Sequence, residues 1–344
     1  MKLIHTADLH LGSKLDSVFS RELAKRRKNE LISSFERMIA YAEANGVSAI
    51  LLSGDVFDSD APLRKDKSFF FDAIKAHPDI DFLYLAGNHD KAGSTEEIVN
   101  LKCFSREWRQ YAYGDIIISG IELVADNASS YYNTLSLEAD KTNIVMLHGQ
   151  VGDSVNLVKL RDKHIDYLAL GHIHSYAEHP LDSRGVAVYS GCLEGRGFDE
   201  TGEKGFVLLE IEETVTYRFI PFSREPIYKK TVDISSICTL YDIVQTIRGV
   251  IEKQDAIYRV ELVGRTELDE LTEESLEQML AGSCAFVSVK NNARRTINIA
   301  DYEGDLSIRG EFVRAVMASD YSEDDKTEII LYGLKALSGE EVQS

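Results

Sequence analysis

The sequence predicts an α/β domain followed by a smaller α+β domain, on three observations. From Lys2 to about Phe222, short β-rich apolar runs alternate with helical patterns, as in α/β architectures. After Pro221 and Pro226 the rhythm changes, which marks a second domain. Of the 344 residues, 44% are hydrophobic and 28% charged, the balance of a soluble chain able to bury at least one large core.

In residues 1–222 the apolar runs are Lys2–Ala7, Val47–Ser53, Asp81–Ala86, Asp115–Ile121, Thr142–Leu147, Asp166–Leu170, Val186–Tyr189, Gly205–Ile211 and Thr214–Phe219, each read as a strand. A helix of roughly 25 residues lies between the first two and stops at Asn45-Gly46, a pair suited to a helix C-terminus. Residues 227–290 open with a strand at Ile227–Ile234, then a helix whose Leu240, Ile243, Val244, Ile247 and Ile251 form one apolar stripe. A strand around Ala256–Val263, a short helix after Thr272 with Glu273 and Glu274 at its positive end, and a strand at Ala285–Lys290 complete that domain. Helices at Leu306–Ala318 and Glu323–Leu337 occupy residues 291–344, the second carrying Ile330, Leu334 and Leu337 on one side.

No run of about 18 apolar residues is present, and the chain enters its first strand without a signal-peptide pattern, so a cytoplasmic protein without membrane association is expected. The four cysteines (Cys103, Cys192, Cys238, Cys284) form no CxxC pair and are read as reduced. A net charge of -19 argues against a broadly basic nucleic-acid surface. One segment, Arg21 to Lys28, is strongly basic, and Lys25, Arg26, Arg27 and Lys28 are the expected phosphate-binding residues if the substrate is DNA. Alone, such a segment is more often a solvated helix face.

Five strand ends terminate in groups that bind metals or transfer protons, where open α/β sheets place their sites. The first ends Asp8-Leu9-His10, the second Gly54-Asp55-Val56-Phe57-Asp58, the third Gly87-Asn88-His89-Asp90. The fifth run ends His148-Gly149, and the sixth Gly171-His172-Ile173-His174. Taken singly, each is more often a turn or a hydrogen-bonded histidine, but five in one chain make chance a poor explanation. Asp8, His10, Asp55, Asn88, His148, His172 and His174 are too many donors for one tetrahedral zinc. With Asp55 bridging they divide into two shells about 3.5–4 Å apart, the spacing of two-metal phosphatases and nucleases. Oxygen and imidazole donors without thiolate admit manganese, iron or zinc. His89, left over from the ligand count, is free to stabilise the transition state or protonate the leaving oxygen, and Asp58 is expected to orient it.

In this order the motifs DLH, GDVFD, GNHD, LHG and GHIH resemble the calcineurin-like metallophosphoesterases over residues 8–174. The resemblance implies a four-layer αββα fold of two mixed sheets flanked by helices. It also implies one metal on Asp8, His10, Asp55 and His174, the other on Asp55, Asn88, His148 and His172, and His89 as catalytic acid supported by Asp58. HTADLHLGS at the start and YSGCLEGRGFDETGEKGFVLLEI at 189–211 are similar to the SbcD group of repair exonucleases, with Cys192 a departure where many members carry serine or asparagine. That likeness implies manganese-dependent DNA cleavage, a capping domain at 227–290, a homodimer, and an SbcC-like coiled-coil ATPase docking on the last helices. Two other readings stay open: the same chemistry on a non-DNA phosphoester, and a mainly DNA-end-binding role beside an ATPase.

Overall fold

The computed structural model describes residues 1–15, 19–90, 98–268 and 271–338, which form two compact units, residues 1–227 and the described residues from 228 on. The first unit holds strands β1 (Lys2–Thr6), β2 (Ala49–Ser53), β3 (Asp81–Leu85), β4 (Leu101–Cys103), β5 (Arg109–Tyr113), β6 (Ile116–Gly120), β7 (Thr142–His148), β8 (Tyr167–Gly171), β9 (Ala177–Pro180), β10 (Val186–Tyr189), β11 (Gly205–Ile211) and β12 (Val215–Pro221). Its helices are α1 (Arg21–Ala44), α2 (Arg64–Ala76), α3 (Tyr131–Thr134) and α4 (Leu157–Leu160).

The strands make two six-stranded sheets, ordered β12-β11-β1-β2-β3-β4 and β5-β6-β7-β8-β10-β9. In the first, β1 to β4 are parallel while β11 runs antiparallel to β1 and β12 to β11. In the second, β6, β7, β8 and β10 are parallel and the edge strands β5 and β9 antiparallel. Because strand side chains alternate, the register sends Leu3, Leu51 and Leu83 between the sheets, against Ile118, Ile144 and Met146. It sends Ile4, Ile50, Leu52 and Phe82 outward, against Phe35, Met38 and Ile39 of α1 and Phe70 and Ile74 of α2. Strands covered on both faces read as continuous apolar runs, and each such buried side chain contributes roughly 1.5–3 kcal/mol.

The outer face of the second sheet buries Val145, Leu147, Leu168 and Leu170 under Tyr131 of α3 and Leu160 of α4. The layers are therefore α, β, β, α, the last a thin one of four-residue helices. Strands β4, β5 and β9 carry no marked apolar run because each lies at a sheet edge with half-buried or exposed residues.

In the second unit, β13 (Ile227–Asp233), which begins at the boundary residue, β14 (Ile257–Val263) and β16 (Phe286–Asn291) form a three-stranded sheet with β14 in the centre, while β15 (Arg265–Thr266) pairs with β17 (Arg294–Arg295). Helix α5 (Leu240–Val250) lays Ile243, Val244 and Ile247 on Val232, Val260 and Val289, and α6 (Glu273–Met279), capped by Thr272, adds Leu276. Helices α7 (Ala300–Glu303), α8 (Ile308–Met317) and α9 (Glu323–Leu337) follow within the same unit, and residues 339–344 lie outside the described residues. The sequence-based break at 290 thus has no counterpart in the compact units. No helix among the described residues is long and apolar enough to cross a membrane.

The basic run in α1 departs from expectation. Arg27 falls on the inward face with Leu23, Ala24 and Leu31 and is fully buried. Its guanidinium lies 3.4 Å from Glu194 and 3.7 Å from Glu225, and donates to the Gly195 carbonyl. Arg37 reaches the same Glu194 at 3.1 Å, and Arg26 pairs with Glu225 at 3.3 Å. Lys25, Arg26, Arg27 and Lys28 therefore do not form one phosphate-binding face: an α-helix turns about 100° per residue, and four consecutive residues cannot share a side. Burial pushes the Glu194 carboxyl up to about 7, against the pull of Arg27. Arg27→Ala would strip that buried acid of a partner and should lower stability by about 3–5 kcal/mol in urea unfolding. Exposed Lys25→Ala should stay within about 0.5 kcal/mol. Equal, small effects would show that the ion pair does not anchor α1.

Candidate metal centre

The parallel strands β1, β2 and β3 of one sheet and β7 and β8 of the other end where their following loops meet. Asp8 and Asp55 sit just past β1 and β2, only 1% and 2% exposed. Two groups of donors result, Asp8, His10 and His174 in one and Asp55, His148 and His172 in the other, with the donor atoms of each group within 4.8 Å of one another. In the first, the Nε2 atoms of His10 and His174 face each other at 3.2 Å, and His174 Nε2 is 3.8 Å from Asp8. In the second, His148 Nε2 is 3.3 Å from Asp55 and 3.0 Å from the Asn88 side-chain oxygen. The groups interlock, since the His172 N–H donates to both carboxylate oxygens of Asp8 at 3.0 and 3.1 Å.

Local backbone shape makes this convergence possible. Gly54, at φ +94°, passes so close to His148 that a Cβ there would lie on the imidazole ring. Asp8, His10, Asp55 and His172 themselves adopt positive φ of 54°, 45°, 51° and 101°. Non-glycine residues so placed cost about 1–3 kcal/mol each, and such strain gathers where geometry serves a site. Asp90 accepts from the Val56 and Phe57 N–H groups at 2.9 and 2.8 Å, pinning the β2 loop to the β3 loop.

The electrostatics also fit cations. Burial pushes the Asp8 carboxyl up despite the histidines around it. Burial would do the same to Asp55, but hydrogen bonds from His148 and the His89 N–H bring it down to about 2. Burial disfavours a charged His148, yet Asp55 and Asp8 outweigh it and hold the ring protonated up to about 9. His172 is lowered by burial and by the charge of His148. Hard oxygens and imidazole nitrogens, converging without thiolate, suit two divalent ions of the manganese, iron or zinc kind.

His89 is exposed, its N–H donates to Asp55 at 2.9 Å, and its ring stands edge-on to His10 at 5.4 Å. Asp58 does not reach it. The Leu11↔Phe57 bridge and the Asp58 N–H to Leu11 carbonyl bond draw Asp58 towards the β1 loop, where its carboxylate lies 3.0 Å from His10 Nδ1. That is an ion-pair distance, although the ring N–H is not aimed at the oxygen. The expected support of His89 by Asp58 is therefore corrected to support of His10.

Sequence reasoning missed Arg196, Glu200 and Lys204. Glu200 accepts from His174 Nδ1 at 2.7 Å, and Arg196 joins Glu200 to Asp58. The Lys204 ammonium donates to the His174 carbonyl at 2.6 Å, and buried Cys192 points its sulfur at the same carbonyl, 3.4 Å away. The charged, glycine-rich run at 189–211 was their signal; its contacts across the fold were not in the sequence.

The calcineurin-like phosphoesterase family model matches residues 1–176. The chain is also similar to the Bacillus subtilis protein described as uncharacterized metallophosphoesterase YhaO, at 27% identity over 74% of this chain and 68% of that one. It is 25% identical to the DNA double-strand break repair protein Mre11 of Sulfurisphaera tokodaii, over 61% of this chain and 59% of the relative. Against the SbcD component of the nuclease SbcCD of Staphylococcus epidermidis the identity is 23%, over 64% and 69%.

Because His148 keeps its proton up to about 9 without metal, a cation using its Nε2 must expel that proton. Divalent-metal affinity should therefore fall as pH drops below 9, by up to about tenfold per unit from this group. Calorimetry at pH 7.5 in two buffers of unlike ionisation enthalpy should detect the proton released; heats independent of buffer would contradict a metal on His148.

Proposed function

The chain belongs to the calcineurin-like phosphoesterase family, and from that premise we propose that it is a two-metal phosphodiesterase that cleaves DNA, a nuclease of the SbcD kind working with manganese in the cytoplasm. The observation that carries the reading is the pair of donor groups, Asp8–His10–His174 and Asp55–His148–His172, side by side with His89 at their margin. Similarity to the Mre11 and SbcD proteins supports the choice of DNA. The chain covers 59% and 69% of those two relatives, so a dimer and an ATPase partner docking on the second unit remain part of the proposal.

One ion would rest on Asp8, His10, Asp55 and His174 and the other on Asp55, Asn88, His148 and His172. When bound, the two would polarise a phosphoryl oxygen and lower the pKa of an attacking water. The Ser53 carbonyl orients His148 by accepting from its Nδ1 at 2.9 Å, which leaves Nε2 for the metal. Asp55, by accepting the His89 N–H, fixes the backbone that carries the His89 ring. His89, exposed to solvent and outside both donor groups, delivers the proton to the leaving oxygen.

A second reading, hydrolysis of a small phosphodiester, is favoured by a cavity of about 260 Å³ in which Asn88, His148 and His172 face Leu123, Val124, Ala125 and Ala128. The net charge of -19 and the burial of Arg27 favour it too.

Labelled DNA, a cyclic dinucleotide and a chromogenic phosphodiester, each assayed with manganese, magnesium and no metal, separate the readings. DNA cleavage with manganese is expected; turnover of the cyclic dinucleotide alone would replace DNA as substrate. His89→Asn should cut turnover by about 10²–10⁴-fold while metal content holds, whereas Asp55→Asn should lose metal. Metal lost from His89→Asn would make His89 a ligand.

A further inference from the structure

We infer that Arg196 is the positioning residue for one of the two metal sites: a single guanidinium grips Asp58 and Glu200 and, through them, sets the rings of His10 and His174. The inference rests on the two-metal reading above. Its basis is geometric. Arg196 Nη1 lies 2.7 Å from Asp58, and Nη2 and Nε lie 2.6 and 3.0 Å from one oxygen of Glu200. The Arg196 backbone N–H donates to the other Glu200 oxygen at 2.8 Å. The side chain is only 18% exposed, so these charge-assisted bonds are poorly screened by water.

Each carboxylate then faces one imidazole, Asp58 at 3.0 Å from His10 Nδ1 and Glu200 at 2.7 Å from His174 Nδ1. The second contact decides the His174 tautomer. An unprotonated Nδ1 would set its lone pair against the Glu200 oxygen, so a proton sits on Nδ1 and Nε2 is the nitrogen left to face a metal. An Arg196 nitrogen also lies 3.2 Å from that Nδ1, but this is the longer contact, and the guanidinium has the Glu200 oxygen to satisfy it. The Nε2 atoms of His10 and His174 lie 3.2 Å apart, so both rings turn that nitrogen towards one shared point.

The other group is held differently. His148 Nδ1 is fixed by the Ser53 carbonyl at 2.9 Å, a backbone group of strand β2. His172 is placed by its own N–H on Asp8 and by edge-on contact with the His148 ring at 5.4 Å. Loss of Arg196 leaves that arrangement intact while Asp58 and Glu200 lose the cation between them. A lysine carries one compact charge and lacks the planar fork that serves two acids at once.

The test combines manganese(II) titration by calorimetry with ¹⁵N NMR of the histidines in the metal-free protein. In the wild type, His174 should show Nδ1–H. Arg196→Gln and Arg196→Lys should weaken one manganese site by about 10–100-fold, leave the other within about twofold, and spoil the Nδ1–H signal of His174 while sparing that of His148. Equal weakening of both sites, two unaltered sites, or a wild-type His174 that lacks Nδ1–H would each overturn the inference. If Arg196→Gln fails to fold, the lysine variant and the wild-type spectrum decide. Wild-type protein that takes up no manganese would instead defeat the two-metal reading, while the His174 tautomer would still report on Arg196.

Discussion

Two carboxylates, Asp8 and Asp55, lie almost wholly out of water at the ends of adjacent parallel strands. Each raises the cost of ionising the other, and burying such charges costs several kcal/mol unless positive charge meets them. The rest of the first unit is arranged around that need. Histidines from β7 and from the loops after β1 and β8 supply the nearest imidazoles, and strained backbone at four of the donors turns them inward. A second ring of charge, with Arg196 between Asp58 and Glu200, closes the arrangement on one side.

The sheets make this placement cheap to specify. With Leu3, Leu51 and Leu83 locked between the sheets, a one-residue slip of any strand would exchange its buried faces and carry its terminal donor away from the others. The same hydrophobic register that stabilises the fold therefore aligns the ends of β1, β2 and β3. Fold and site are set by one pattern.

For that reason much was legible beforehand. Each expected donor follows closely on an apolar run, so the meeting of Asp8, His10, Asp55, Asn88, His148, His172 and His174 at one place was legible from the strand ends taken together. What was not legible depends on contacts distant along the chain. Arg27 looks like its basic neighbours until α1 is wound, and only Glu194 and Glu225, far along the sequence, explain its burial. Asp58 was assigned to His89 by proximity in sequence, whereas the bridge from Leu11 to Phe57 hands it to His10. Arg196 and Glu200 sit in a loop whose composition signalled importance without naming its target. The edge strands β4, β5 and β9 escaped because half-exposed strands carry little hydrophobic signature.

The central claim is that these donors hold two cations in adjacent sites. Anomalous scattering from a manganese-loaded crystal tests it most directly. Two peaks are predicted, one in contact with Asp8, His10 and His174 and the other with Asn88, His148 and His172, with Asp55 between them. A single peak, or manganese bound away from these side chains, would contradict the account.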